Sequence, residues 1–296
     1  MGAALPGPVS HNYESRRLRL HYVDWGNPEA PPLLLLHGGR DHCRSWDWVA
    51  AKLRDDWHII APDLRGHGDS AWSPDGNYTA AAFLYDLSEL IHQHVAKPVT
   101  IIAHSFGANV ALRYAGLYPA HVRKLIAIEG AFTPGAFIGE PVAKGVAGRL
   151  RNWIDFDRKL SDGQPRRYQS IAEAFRRMQD ENKKLNDTQA RHLTTHGVNQ
   201  NEDGSFSWKF DPYVRSRSPH DAKAAELDEL WHAISCPVLH VYGSESWMPN
   251  PLTTGRMSIF QAARLALFEH AGHWVHHDQL EPFMAAVKTF LDEAVA

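Results

Sequence analysis

The chain has 296 residues, 44% of them hydrophobic and 22% charged, with a formal net charge of −3 at pH 7. That balance excludes wholesale disorder and fibrous repeats, and it leaves no whole-chain electrostatic footprint for nucleic acid. The longest aliphatic run, Leu33–Leu36, is far shorter than the ~18 apolar residues of a membrane-spanning helix, and the two cysteines, Cys43 and Cys236, allow at most one disulfide.

Met1–Pro6 shows no basic stretch leading into an apolar one, so the expectation is a soluble, cytoplasmic protein without membrane insertion. Short β-like runs then follow in order: Arg17–Val23, Leu33–Leu36, His58–Ala61, Val99–Ala103, Lys124–Ile128, Val238–Tyr242 and Leu265–Phe268. The later ones are continuous aliphatic runs without alternation, which predicts strands buried on both faces of a parallel sheet. Between them, Ala80–Val95 carries Phe83, Leu84, Leu87, Leu90 and Ile91 at helical spacing, and Ala108–Tyr118 and Pro282–Ala294 read the same way. Alternating strands and helices predict an α/β sheet covered by helices on both faces.

The alternation breaks between about Thr133 and Ala225, where aromatic residues are scattered among charged helical segments such as Ile171–Leu185. Residues 134–225 hold 16 Lys and Arg against 12 Asp and Glu, an excess of +4 that reads as solvated helix surface. The expectation is a core of residues 1–133 and 226–296 interrupted by a mostly helical insertion, 134–225.

Chemistry concentrates first at Val99-Thr100-Ile101-Ile102-Ala103-His104-Ser105-Phe106-Gly107-Ala108-Asn109. A buried strand runs into a serine flanked by small residues and then into an alanine-rich helix, the spacing of a nucleophile elbow with Ala103 at the first glycine position. Such a turn exposes the serine hydroxyl at the sheet edge over a helix N-terminus, whose N–H groups suit a developing oxyanion.

Other segments fall in step with it: Leu36-His37-Gly38-Gly39 after a buried strand, Pro62-Asp63-Leu64-Arg65-Gly66-His67-Gly68-Asp69-Ser70 after the next, and Ala271-Gly272-His273-Trp274 near the end. Over nearly its whole length the chain resembles the α/β-hydrolase family. The resemblance implies an α/β-hydrolase fold, a mostly parallel central sheet with helices on both faces, and a cap domain at 134–225.

Under that resemblance Ser105 is the nucleophile and His273 its base, carried on the short loop after a strand ending near Phe268. His270, His276 and His277 compete for that place, and the cluster they form reads as solvated loop histidines rather than a metal site. His37 and His67 read as turn-stabilising, and His92 and His94 as exposed helix residues. In the family's common acid turn, Gly243-Ser244-Glu245-Ser246 puts Ser246 where aspartate is usual. Glu129, ending the strand after the elbow as in haloalkane dehalogenase-like branches, is the assigned acid, and Glu245 is the alternative. The oxyanion donors are the backbone N–H of Phe106 and, by resemblance, of Gly39.

Gly38, Arg40, Phe132, Phe137, Trp247 and Trp274 are the expected pocket residues. The implied reaction is cleavage of a carboxylic ester with an apolar portion through an acyl-enzyme, requiring neither cofactor nor metal. A C–C hydrolase, a lactonase, an acylglycerol lipase or a hydrolase-fold binding protein with little turnover fit the same residues. Dehalogenation and epoxide opening are disfavoured, because those branches carry aspartate at the place of Ser105. The sequence leaves monomer and dimer equally open.

Overall fold

In the computed structural model, which describes residues 7–131, 145–163, 165–216 and 218–294, the chain opens on an antiparallel hairpin, β1 (Val9–Ser15) and β2 (Leu18–Asp24). Arg16 and Arg17 form its turn with φ of +46° and +68°, so Arg17 belongs to the turn and not to the strand expected from it. The edge strand β1 is polar and mostly exposed, which hides it from a search for apolar runs. Next come β3 (Pro32–Leu36), α1 (Asp47–Leu53), β4 (His58–Pro62), α2 (Ala80–His94), β5 (Val99–His104), α3 (Ser105–Leu117) and β6 (Val122–Ile128).

From 145 onward lie α4 (Gly145–Asp162), α5 (Ile171–Glu181), α6 (Asp187–Gly197), the small hairpin β7 (Val198–Gln200) and β8 (Phe206–Trp208), and α7 (Ala224–His232). The chain closes with β9 (Val238–Gly243), β10 (Ala263–Phe268), α8 (Val275–Asp278) and α9 (Leu280–Asp292). The main sheet has the order β1-β2-β4-β3-β5-β6-β9-β10 and is parallel from β4 to β10. It is an α/β-hydrolase fold.

Two apolar layers explain the unbroken aliphatic strands. Leu34 and Leu36 of β3, Ile101 and Ala103 of β5, and Leu125 and Ala127 of β6 pack with α2, α3 and α7. Their alternates Leu33, Leu35, Ile102, Ile126 and Ile128 pack with α1 and α9 on the other face. Each fully buried aliphatic side chain contributes about 1.5–3 kcal/mol. β10 differs from expectation: it is an edge strand with no fully buried residue, and Leu267 is exposed.

The segment from α4 to α7 adds no strand to the main sheet and is tied to it by polar contacts. Tyr78 Oη donates to Asp211 Oδ2 at 2.5 Å, Arg113 pairs with Asp221 at 2.8 Å and Lys184 with Glu245 at 2.6 Å. Helix starts here follow local rules: Ser170 Oγ accepts the Glu173 N–H, and Asn186 with Gln189 forms a reciprocal cap on α6. Cys43 and Cys236 are buried and free.

Several histidines are interior residues. His37, His67, His240 and His277 are buried, and burial pulls their pKa down to about 3, 4, 3 and 3. In the unfolded chain each takes up a proton below about pH 6.5, whereas in the fold it stays neutral until the pH nears its lowered value. Stability is therefore complete above about pH 6.5 and is lost as pH falls through that window, by up to about 1.4 kcal/mol per pH unit for each histidine. Urea unfolding at about pH 7 and about pH 5.5 is expected to show a lower unfolding free energy at the acid value. Equal stability at both would mean that the folded state protonates these rings as readily as the unfolded one.

Candidate active site

β5 is buried over all six residues and stops at His104. Ser105 then opens α3 with φ of +50°, a left-handed backbone unusual for a residue with a side chain. The helix thus begins at the serine itself, earlier than its apolar spacing indicated. Ala103 sits fully buried between Leu36 of β3 and Ala127 of β6, and its methyl group is accommodated there. Gly107 is not replaceable in the same way: a Cβ would lie 2.3 Å from the His37 carbonyl oxygen and 2.8 Å from that of Leu36. In an open helix Gly→Ala stabilises by up to ~1 kcal/mol. Here Gly107→Ala is expected to destabilise by about 1–3 kcal/mol through overpacking, read as a lower Tm; a raised Tm would contradict this packing.

Ser105 and His273 come from segments 168 residues apart, yet His273 Nε2 lies 2.9 Å from Ser105 Oγ. The other ring nitrogen, Nδ1, lies 2.5 Å from Glu129 Oε2. Glu129 follows β6, has φ of +51° and is fully buried. A buried carboxylate is costly unless hydrogen-bonded, and this one receives three donors. Gly243 N–H donates to Oε1 at 2.9 Å, while Ser246 Oγ–H and His273 Nδ1–H both converge on Oε2 at 2.5 Å. With its proton on Nδ1, the imidazole presents a lone pair on Nε2 to the serine hydroxyl.

The competing acid points elsewhere. Glu245 is on the surface, with Oε2 paired to Lys184 at 2.6 Å and Oε1 3.4 Å from His270, and the Lys184 hydrogen bond holds its carboxyl below the usual range. His270 is exposed. His276 and His277, expected in solvent, are buried in α8 instead, because Val275 and the rings beside it face the core. His276 lies flat on Trp46 with ring centroids 4.6 Å apart.

Around the serine, α3 has no side-chain cap at its first turn, which leaves the Phe106 N–H available to a ligand. The Phe106 ring turns into the core, edge-on to Phe83 at 4.8 Å. Gly38 and Gly39 run beside the elbow: a Cβ on Gly38 would meet His104 at 2.8 Å and Ser105 at 3.2 Å, and one on Gly39 would come within 3.8 Å of Phe106. His37 fixes this turn, with Nε2 accepting from Leu64 N–H at 3.0 Å and Nδ1–H donating to Gly38 O at 2.7 Å.

Trp247 is exposed and its ring lies 4.8 Å from that of His273. Trp274 leans on Leu185, Ala190 and Leu193 and, with Arg40 and Trp208, lines a recess of about 30 Å³. Phe132 and Phe137 lie outside the described residues.

Three supporting contacts escaped the sequence. His104, inside the elbow, donates from Nε2 to the His273 carbonyl at 3.0 Å and so holds the loop of His273 to the strand that carries the serine; burial keeps its pKa well below the usual value. Asp278 accepts the Gly272 N–H at 2.7 Å. Gly243 has the carbonyls of Ala271 and Gly272 at 2.4 Å from any Cβ. Their residue types carry no signal, since each acts on backbone brought near only by the fold. Ser246 was visible, but only as the lack of an aspartate.

Residues 33–286 match the model of a family described as the alpha/beta hydrolase family. The chain is 28% identical over 290 residues to the sn-1-specific diacylglycerol lipase ABHD11 of Mus musculus, covering 95% of this chain and 87% of that one. It is 25% identical over 294 residues to an esterase of Mycobacterium tuberculosis, covering 98% and 92%. Among solved structures it is similar to the thioesterase domain from the curacin biosynthetic pathway, with a TM-score of 0.84 at 22% identity, covering 96% of this chain and 100% of that one.

Proposed function

Because the chain belongs to the alpha/beta hydrolase family, we propose that it is a serine hydrolase cleaving carboxylic esters of modest size with Ser105, His273 and Glu129. The observation that carries this reading is the continuous contact from Glu129 Oε2 through the imidazole to Ser105 Oγ. His273 takes the serine proton as Oγ attacks the ester carbonyl, and Glu129 holds the tautomer and stabilises the imidazolium. The N–H groups of Phe106 and Gly39 receive the tetrahedral oxyanion; losing one such donor typically costs ~3–4 kcal/mol. The imidazolium then protonates the leaving alcohol, and water, deprotonated by the same base, releases the acid.

In this reading the insertion 134–225, of which 134–144 lie outside the described residues, serves as a cap, with Arg40, Trp247 and Trp274 at the margin of the site. The names of the mouse lipase and the mycobacterial esterase support ester chemistry, the former in its acylglycerol form. A binding protein without turnover is the competing reading, and the ordered proton path to Ser105 speaks against it. A chromogenic short-chain ester and a fluorophosphonate probe decide between them. Turnover together with stoichiometric labelling is expected, and ligand binding with neither would overturn the enzyme reading.

A further inference from the structure

We propose that Asp47, His192 and His196 form a binding site for a borderline divalent cation of the Zn²⁺ type, spanning α1 of the sheet domain and α6 above it. The two histidines lie one turn apart on α6, so their rings share a face, with centroids 4.5 Å apart. Asp47 stands opposite at the start of α1. One ligand-capable atom from each of the three lies within 4.8 Å of the others, and His192 Nε2 is 3.1 Å from Asp47 Oδ2. All three are half-buried, so the seam is reachable by an ion yet shielded. Beside it stands a fourth imidazole. His42 has its ring 6.5 Å from that of His196, and its buried Nδ1 has no hydrogen-bond partner among the described residues.

Two neutral imidazoles and one carboxylate suit Zn²⁺, Co²⁺ or Ni²⁺, whereas Mg²⁺ and Ca²⁺ require oxygen-rich shells. Bonds of ~2.0–2.1 Å in a tetrahedral shell put ligand atoms about 3.3 Å apart. One pair here is already close to that spacing, a His196 nitrogen lies within 4.8 Å of both partners, and water would be the remaining ligand. Binding through His192 Nε2 moves its ring proton to Nδ1 and frees the contact that Nε2 makes with the Arg44 carbonyl at 3.1 Å. Arg44 also grips the Asp47 carboxylate, with Nε 2.9 Å from each oxygen and Nη2 2.6 Å from Oδ2. A carboxylate offers about four lone-pair positions, so Arg44 orients it as partners outside a metal shell do, while its charge weakens the site. The ion would pin α6, whose Leu193 packs beside Trp274, to the sheet domain.

The test does not depend on turnover. Protein stripped with a chelator is titrated with Zn²⁺ against a chromophoric competitor, and melting is followed with and without the ion. One saturable equivalent and a raised Tm are expected for the parent chain and for His270→Ala, with no response to Mg²⁺. His196→Ala and Asp47→Asn should each weaken binding by at least ~10–100-fold. His196→Gln, which preserves side-chain volume, replaces the alanine variant if its metal-free melting is altered. No saturable equivalent, or unchanged affinity in both the His196 and Asp47 variants, would overturn the site.

Discussion

Ser105→Ala is expected to lower kcat on a chromogenic ester by about 10⁶-fold, the scale found when a triad serine is removed, and to abolish fluorophosphonate labelling. The fold should survive intact. Alanine occupies the same left-handed backbone at φ of +50° with no greater strain than serine, and among the described residues the hydrogen-bond partner of Oγ is the His273 ring. KM should change little, since the proposed oxyanion donors and pocket residues are untouched. This separates loss of chemistry from loss of structure: circular dichroism and Tm should match the parent. Retained labelling would place the reactive hydroxyl elsewhere, and retained turnover would remove the covalent mechanism.

Much of this arrangement can be read from residue types, because burial on both faces leaves a plain mark. The aliphatic runs at 33–36, 99–103 and 124–128 announce central parallel strands, and the small residues around Ser105 announce a turn where bulk cannot fit. Edge elements leave weaker marks. β1 reads Val-Ser-His-Asn-Tyr-Glu-Ser, with solvent along most of it, and β10 is only half covered, so neither shows the pattern of a buried strand. Histidine was the least legible residue. Its ring serves as a core side chain at 276, as a backbone brace at 37 and 104, and as the proposed base at 273, and only tertiary contacts decide which. Ser246 shows the same limit: the substitution was visible, but its hydroxyl's contact with Glu129 depends on two strands lying side by side.

That contact sharpens the second large effect. Glu129→Gln is expected to lower kcat by ~10⁴-fold, the scale for an acid converted to its amide in a related triad, whereas Glu245→Gln should change it less than about twofold, as fits an exposed ion pair. An amide at 129 can keep its oxygen on the Gly243 N–H only by turning its NH₂ toward His273 Nδ1. The imidazole must then carry its proton on Nε2, facing Ser105 Oγ with a donor where a base is needed. The reverse amide rotamer sets NH₂ against the Gly243 N–H, two donors with no acceptor between them. Ser246 offers a way to prove the point. Its Oγ and His273 Nδ1 both lie 2.5 Å from Glu129 Oε2, so a carboxylate introduced there should reach the same imidazole. Adding Ser246→Asp to Glu129→Gln is expected to restore at least tenfold of the lost kcat on the same chromogenic ester. Equal losses in the Glu129 and Glu245 variants would overturn the choice of acid, and no recovery in the double variant would show that the imidazole is oriented by more than the placement of one negative charge.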